Sequence, residues 1–126
     1  MVGNLLIVDD EEDVLGVVSE YLSTLGYGVV AVESGREAVA HLASDARFDV
    51  AVIDWTLPDV GGRELIQVIR ARQPSCRVIV TTGHGAEVVN ETNAGLFDGT
   101  IVRKPFTMRT LSMRVAMLLE KPRAER

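Results

Sequence analysis

The sequence predicts an α/β protein: one doubly wound sheet of five parallel strands with helices on both faces. Three observations carry that expectation. Five short apolar runs, at residues 5–8, 29–32, 50–53, 78–80 and 101–102, are rich in β-branched residues and do not alternate with polar ones. Unbroken apolarity over so short a run marks a strand covered on both faces. Longer segments with helical periodicity separate the runs, and repeated strand–helix alternation builds a parallel sheet. The 126 residues, 47% hydrophobic and 25% charged, suffice for one core of ordinary domain size. Right-handed crossovers restrict the connections. The flavodoxin-like order 2-1-3-4-5 fits best.

The first run leads into a helix over residues 13–25. Its Val14, Val17, Val18, Tyr21 and Leu25 fall on one face at about 100° per residue, and Gly26 follows as a C-terminal stop. The second run lies at the sheet edge. The helix after it opens on Ser34-Gly-Arg-Glu37, a capping-box pattern, and continues to about residue 43. A third helix covers residues 62–72, with Leu65, Val68 and Ile69 inward and Pro74 just beyond. A fourth, residues 87–94, contains Asn90, Thr92 and Asn93 and is weak by propensity. The last, residues 108–119, turns Met108, Leu111, Val115, Leu118 and Leu119 toward the sheet. Met113 and Met117 fall on its opposite side, as an adaptable apolar patch. Residues 1–120 are expected to form the domain. Residues 121–126 are polar, Pro122 stops the helix, and this stretch reads as a tail or the start of a linker.

Composition excludes several classes. With 13 Lys+Arg against 18 Asp+Glu, the formal net charge is −5, the wrong sign for a nucleic-acid surface. Aromatic residues are 5% of the chain, too few for base stacking. No apolar run approaches the ~18 residues of a membrane span. The start lacks a basic segment before Asp9, so no signal peptide is expected and the cytoplasm is the expected compartment. The single cysteine, Cys76, excludes an internal disulfide and any multi-cysteine metal site.

In a sheet of this kind, ligands bind beyond the carboxyl ends of the strands. There the sequence sets Asp9, Asp10 and Glu11 after the first run and Asp54 after the third. Thr81-Thr82-Gly83 follow the fourth, and Lys104-Pro105 come after the fifth. Carboxylates crowded on one rim raise one another's pKa. A hard divalent cation and an ammonium relieve that. Oxygen-only donors suit Mg²⁺, whose coordination is completed by water and a substrate phosphate. The pattern therefore reads as a Mg²⁺ site handling a phosphoryl group, with the identity of the nucleophile left open among the acids. His41 lies in the second helix with no partner pattern and is set aside. His84, two residues past Thr82, is either a tuner of water access or a plain loop residue. Asp98 reads as a turn residue, and Trp55 as partly exposed beside the pocket.

The chain resembles response-regulator receiver domains of two-component signalling, of the chemotaxis-regulator kind. The resemblance spans about residues 4–119. It rests on Leu5-Leu-Ile-Val-Asp-Asp-Glu11, Asp54-Trp-Thr-Leu-Pro-Asp-Val-Gly-Gly62, Val78-Ile-Val-Thr-Thr-Gly83 and Lys104-Pro-Phe106, all four in order at strand ends. It implies that Asp54 accepts the phosphoryl group. Asp9, Asp10, Asp54 and the Thr56 backbone carbonyl would hold Mg²⁺. Thr82 would bind a phosphoryl oxygen, Lys104 would pair with the acyl phosphate, and the peptide bond to Pro105 would be cis. A histidine kinase or histidine phosphotransfer protein would be the donor, and the domain would be free-standing or cut from a larger regulator or hybrid kinase. Thr82 and Ile101 would form the switch pair. Ile101 stands where many receivers carry an inward-swinging Tyr, Phe or His, so the weak segment at residues 87–94 is expected to move more than Ile101. The face made by that segment, the last strand and the last helix would dock an output partner or a second copy.

Two other readings compete. A small Mg²⁺-dependent phosphatase with an aspartyl nucleophile usually carries a second Asp two residues on, where this chain has Thr56. A phosphate-independent binding module would not need the full set Asp9, Asp10, Asp54, Thr82 and Lys104.

Overall fold

The computed structural model describes residues 3–83 and 100–120. Five strands form one sheet: β1 (Asn4–Val8), β2 (Gly28–Val32), β3 (Val50–Asp54), β4 (Arg77–Thr82) and β5 (Thr100–Arg103). All neighbours pair in parallel, in the order β2-β1-β3-β4-β5. Four helices accompany them among the described residues: α1 (Glu12–Thr24), α2 (Gly35–Leu42), α3 (Gly62–Arg72) and α4 (Met108–Glu120). The sequence-predicted helix at residues 87–94, His84, Asp98 and the tail at 121–126 lie outside the described residues.

Strand alternation divides the core in two. Leu6, Val8, Ala51, Ile53, Val78 and Val80 meet α2 and α3 on one face. Leu5, Ile7, Val50, Val52 and Ile79 meet α1 and α4 on the other. The central strands β1, β3 and β4 are buried almost throughout. Strands β2 and β5 are only partly covered, which corrects the expectation that all five runs are buried on both faces. Each is an edge strand with a neighbour on one side only. The fourth run also extends further than its apolar residues suggest, since Thr81 and Thr82 belong to β4 itself.

The inward face of α1 differs from the one read from the sequence. Leu15, Val18 and Leu22 are its buried residues, while Val17 is 55% and Leu25 45% exposed. Val14 and Tyr21 pack at the margin. Helix α1 carries two overlapping apolar stripes that share Val18. The right-handed crossover from β1 turns the stripe containing Leu15 and Leu22 onto the sheet, and periodicity alone does not choose between stripes. In α3 the predicted Leu65 and Ile69 are buried together with Ile66, while the predicted Val68 is only partly buried; in α4 the predicted Leu111, Val115 and Leu118 are buried, and Met108 and Leu119 pack partly buried at the margin.

The helix ends follow local chemistry. Gly26 takes a φ of 100°, and the Gly26 and Tyr27 N–H groups donate to the Ser23 and Leu22 carbonyls, a Schellman stop that needs glycine's left-handed freedom. At the start of α2, Ser34 Oγ accepts from Glu37 N at 3.1 Å, and Glu37 Oε1 accepts from Glu33 N at 3.1 Å. Asp59, from the β3–α3 loop, accepts from Gly35 N at 3.0 Å and Arg36 N at 2.9 Å. Those N–H donors, Arg36's first, hold the Asp59 carboxyl below the usual aspartate range. This cap ties α2 to the loop that leaves the end of β3.

Candidate functional site

The carboxyl ends of β1, β3 and β5 gather three aspartates and one lysine on one rim. Asp9 follows β1 and is 4% exposed; Asp54 closes β3 and is 3% exposed. Both are buried because the central strands carry them to a rim already walled by neighbouring strands. Asp10, next in the chain, is exposed. One carboxylate oxygen from each of Asp9, Asp10 and Asp54 lies within 4.8 Å of the other two. Lys104 follows β5, after which the Lys104–Pro105 peptide is cis. Its backbone N–H donates to the Thr82 carbonyl at 2.9 Å.

Lys104 Nζ reaches into the carboxylates. It lies 2.8 Å from Glu11 Oε1, 3.1 Å from Asp9 Oδ2 and 3.3 Å from Asp54 Oδ2. Burial alone would pull the ammonium's pKa down. The bonds to Glu11 and Asp9 and the Asp54 charge outweigh that and hold it above the ordinary lysine value. Burial pushes the Asp9 carboxyl above the ordinary aspartate range, with the Asp54 charge adding to the rise. The Glu11 N–H, at 2.8 Å from Asp9 Oδ1, and Lys104 offset part of it. The second oxygen of Asp54, Oδ1, accepts from Thr56 N at 3.1 Å and Thr56 Oγ1 at 3.2 Å. Its two oxygens thus face different partners, a hydroxyl and amide on one side and an ammonium on the other.

Supporting residues fix these positions. Thr81 is the register partner of Asp54, and its carbonyl accepts from Trp55 N at 2.9 Å. Thr82, one residue on at the end of β4, is fully buried. Trp55 is partly buried and packs on Gly62 so closely that a Cβ there would collide with the indole. Glycine at the start of α3 is therefore required by the ring beside Asp54. Ile101 pairs in register with Val80 and packs, partly buried, against the core on the α2–α3 side. An open groove of about 540 Å³ beside the rim is lined by Glu11, Val14, Val17, Lys104 and Phe106, among others.

The donor set suits a small hard cation. Three carboxylates converge with no sulfur or imidazole among them, and such oxygen donors favour Mg²⁺ or a similar ion over softer metals. The sequence located Asp9, Asp10, Asp54 and Lys104. It did not single out Glu11 as a partner of Lys104, nor the Thr56 hydroxyl on Asp54. The only sequence signal for Glu11 was its place after two aspartates, in a position where Ser, Thr, Asp or Asn would cap α1 better.

The family pattern described as Response regulator receiver domain matches residues 5–116. The response regulator SaeR of Staphylococcus aureus (strain USA300) is 32% identical over 120 residues, covering 94% of this chain and 51% of SaeR. The chain thus spans about half the length of the curated relatives it matches. Among solved structures, a CheY-like response regulator receiver domain protein from Methanospirillum hungatei JF-1 is similar. It has 25% identity and a TM-score of 0.87, with 95% of both chains covered. The response regulator protein TrrA from Thermotoga maritima, in complex with Mg(2+)-BeF, has 25% identity and a TM-score of 0.79. There 91% of this chain and 97% of TrrA are covered. No helix among the described residues is long and apolar enough to cross a membrane.

Proposed function

This chain belongs to the response regulator receiver domain family, a family of signalling switches, and on that premise we propose that Asp54 is its phosphoacceptor. One observation carries the assignment. Asp54 closes the central strand with Lys104 on one oxygen and the Thr56 amide and hydroxyl on the other, and Asp9 and Asp10 within 4.8 Å.

Asp54 attacks the phosphorus of a phosphodonor through a carboxylate oxygen. The donor's bond from phosphorus to its leaving group breaks, and that group departs with the electron pair. Bringing a carboxylate to a phosphoryl group sets like charge against like, so catalysis is mostly positioning and neutralisation. Asp9, Asp10, Asp54 and the Thr56 backbone carbonyl would hold Mg²⁺, which when bound would neutralise charge on the phosphoryl oxygens. The Lys104 ammonium supplies a further positive charge from the β5 side. The Thr82 hydroxyl takes a phosphoryl oxygen at the end of β4. The resulting mixed anhydride shifts a conformational equilibrium, with Thr82 and Ile101 as the switch pair. In this reading the domain assists its own phosphorylation and hydrolysis.

The donor is a histidine kinase or a histidine phosphotransfer protein. The output surface includes α4, where Met113 and Met117 are 52% and 54% exposed. Met113→Glu with Met117→Glu then weakens self-association or partner binding and leaves phosphorylation intact. The direct test is incubation with acetyl phosphate, with and without Mg²⁺, followed by intact mass. A single Mg²⁺-dependent phosphoryl adduct supports the receiver reading. Turnover of many phosphate esters points to a phosphatase, and no change to a phosphate-independent binding module.

A further inference from the structure

We propose that Glu11 is a positioning residue that restrains Lys104, and that its carboxylate is the partner Lys104 exchanges for the incoming phosphoryl oxygen. This inference rests on Asp54 being the phosphoacceptor. An ammonium has three N–H donors, and Lys104 faces three carboxylates at 2.8, 3.1 and 3.3 Å. Every donor is engaged, so a phosphoryl oxygen can bind Lys104 only by replacing a partner.

Burial decides which partner leaves. The Asp9 and Asp54 side chains are 6% and 4% exposed, whereas that of Glu11 is 58% exposed. Releasing a buried carboxylate strands its charge away from water. Releasing Glu11 returns its charge to solvent at little cost. Glu11 also lies outside the Asp9–Asp10–Asp54 cluster, so its departure leaves the cation-binding oxygens in place.

The local structure shows what the side chain is not doing. Glu11 occupies the cap position of α1, yet its side chain makes no capping bond. It turns to Lys104 instead, and the first N–H groups of α1 go without it. A residue better suited to the cap would stabilise the helix start and lose the hold on Lys104.

The experiment compares wild type with Glu11→Ala, Glu11→Gln and Glu11→Asn; Asn is a strong cap and keeps the helix start intact. The first readout is metal-free and independent of phosphorylation. The chain has two lysines, Lys104 and Lys121, so trace amine acetylation scored by peptide mass gives Lys104 reactivity against an internal reference. The expected result is a rise of about threefold in the Lys104 to Lys121 ratio for Glu11→Ala and Glu11→Asn, and less for Glu11→Gln. The second readout is uptake from subsaturating acetyl phosphate with Mg²⁺, expected to rise by about the same factor and in the same order. In a Lys104→Ala background, Glu11→Ala should change nothing. Unchanged Lys104 reactivity, unchanged uptake, or an equal effect of Glu11→Ala without Lys104 each overturns the inference. If wild type takes up no phosphoryl group, the phosphoacceptor reading fails and this inference with it. If wild type is phosphorylated and the variants match it, only the role of Glu11 fails.

Discussion

Two polar clusters sit at different places in this fold, and they are built on opposite principles. At one, Gln73 is 5% exposed at the end of α3. Its Oε1 accepts from Phe48 N at 2.9 Å, and its Nε2 donates to the carbonyls of Ala46 at 2.7 Å and Leu42 at 3.2 Å. A neutral amide is satisfied on both ends by backbone, and the cluster binds the end of α2 and the entry to β3 to α3. At the other, Asp9, Glu11 and Asp54 share the single ammonium of Lys104, with Asp10 beside Asp9 and Asp54, a formal excess of negative charge. The first cluster is complete within the chain. The second carries more negative than positive charge among the described residues. A polar group that the fold satisfies is structural, and one that the fold leaves short of charge is a site.

The sharpest way to break this comparison is Asp54→Asn. It should abolish the Mg²⁺-dependent adduct from acetyl phosphate while the protein stays folded; intact mass and circular dichroism check both. Gln73→Leu should do the reverse. It removes Gln73 from the Phe48 N–H and from the Leu42 and Ala46 carbonyls, of which Ala46 keeps Arg47 Nη1 at 3.3 Å, at a cost of about 3 kcal/mol in urea unfolding, with the folded fraction still phosphorylated. Loss of the adduct in Gln73→Leu under native conditions would show that the two clusters are not independent.

Smaller effects sharpen the contrast. Because burial raises the Asp9 pKa, the folded state holds that proton more tightly than the unfolded chain. The stability this gives is full below the ordinary aspartate value of 3.8 and is lost as pH rises through the raised folded value. In metal-free buffer, Asp9→Asn should escape that loss and melt higher than wild type at pH 7. Mg²⁺ should stabilise wild type, change its Trp55 fluorescence, and do neither to Asp9→Asn. The smallest effect belongs to Asp59, whose pKa is lowered, so its stabilisation is present above 3.8 and lost as pH falls through the lower folded value. Asp59→Ala should speed amide exchange at Gly35 and Arg36 and leave phosphorylation unchanged.

Legibility in the sequence follows the range of the interaction. The Gly26 stop and the Ser34–Glu37 cap were readable because each is closed within a few residues. The Asp59 contribution to the same cap was not, because its partners are 24 and 23 residues away. Gln73 gave no signal at all: an amide at the end of a helix looks like surface until the chain folds over it. The site acids were legible because parallel strands bring their carboxyl ends to one rim, so a run of apolar residues followed by Asp already gives a position in space.

The sequence by itself determined the architecture and the inventory. Five apolar runs separated by periodic segments best match the sheet order that the structure has, and the acids and lysine at their ends define the chemistry of the rim. Only the tertiary structure decided how those groups divide their contacts. Val17 and Leu25 face solvent because the crossover, not the periodicity, sets the rotation of α1. Lys104 sits closest to Glu11 among its three carboxylates, although the pair is separated by 93 residues. Periodicity fixes what a segment buries relative to its own axis. Distances between segments depend on how those axes pack, and that packing is settled by the whole core at once.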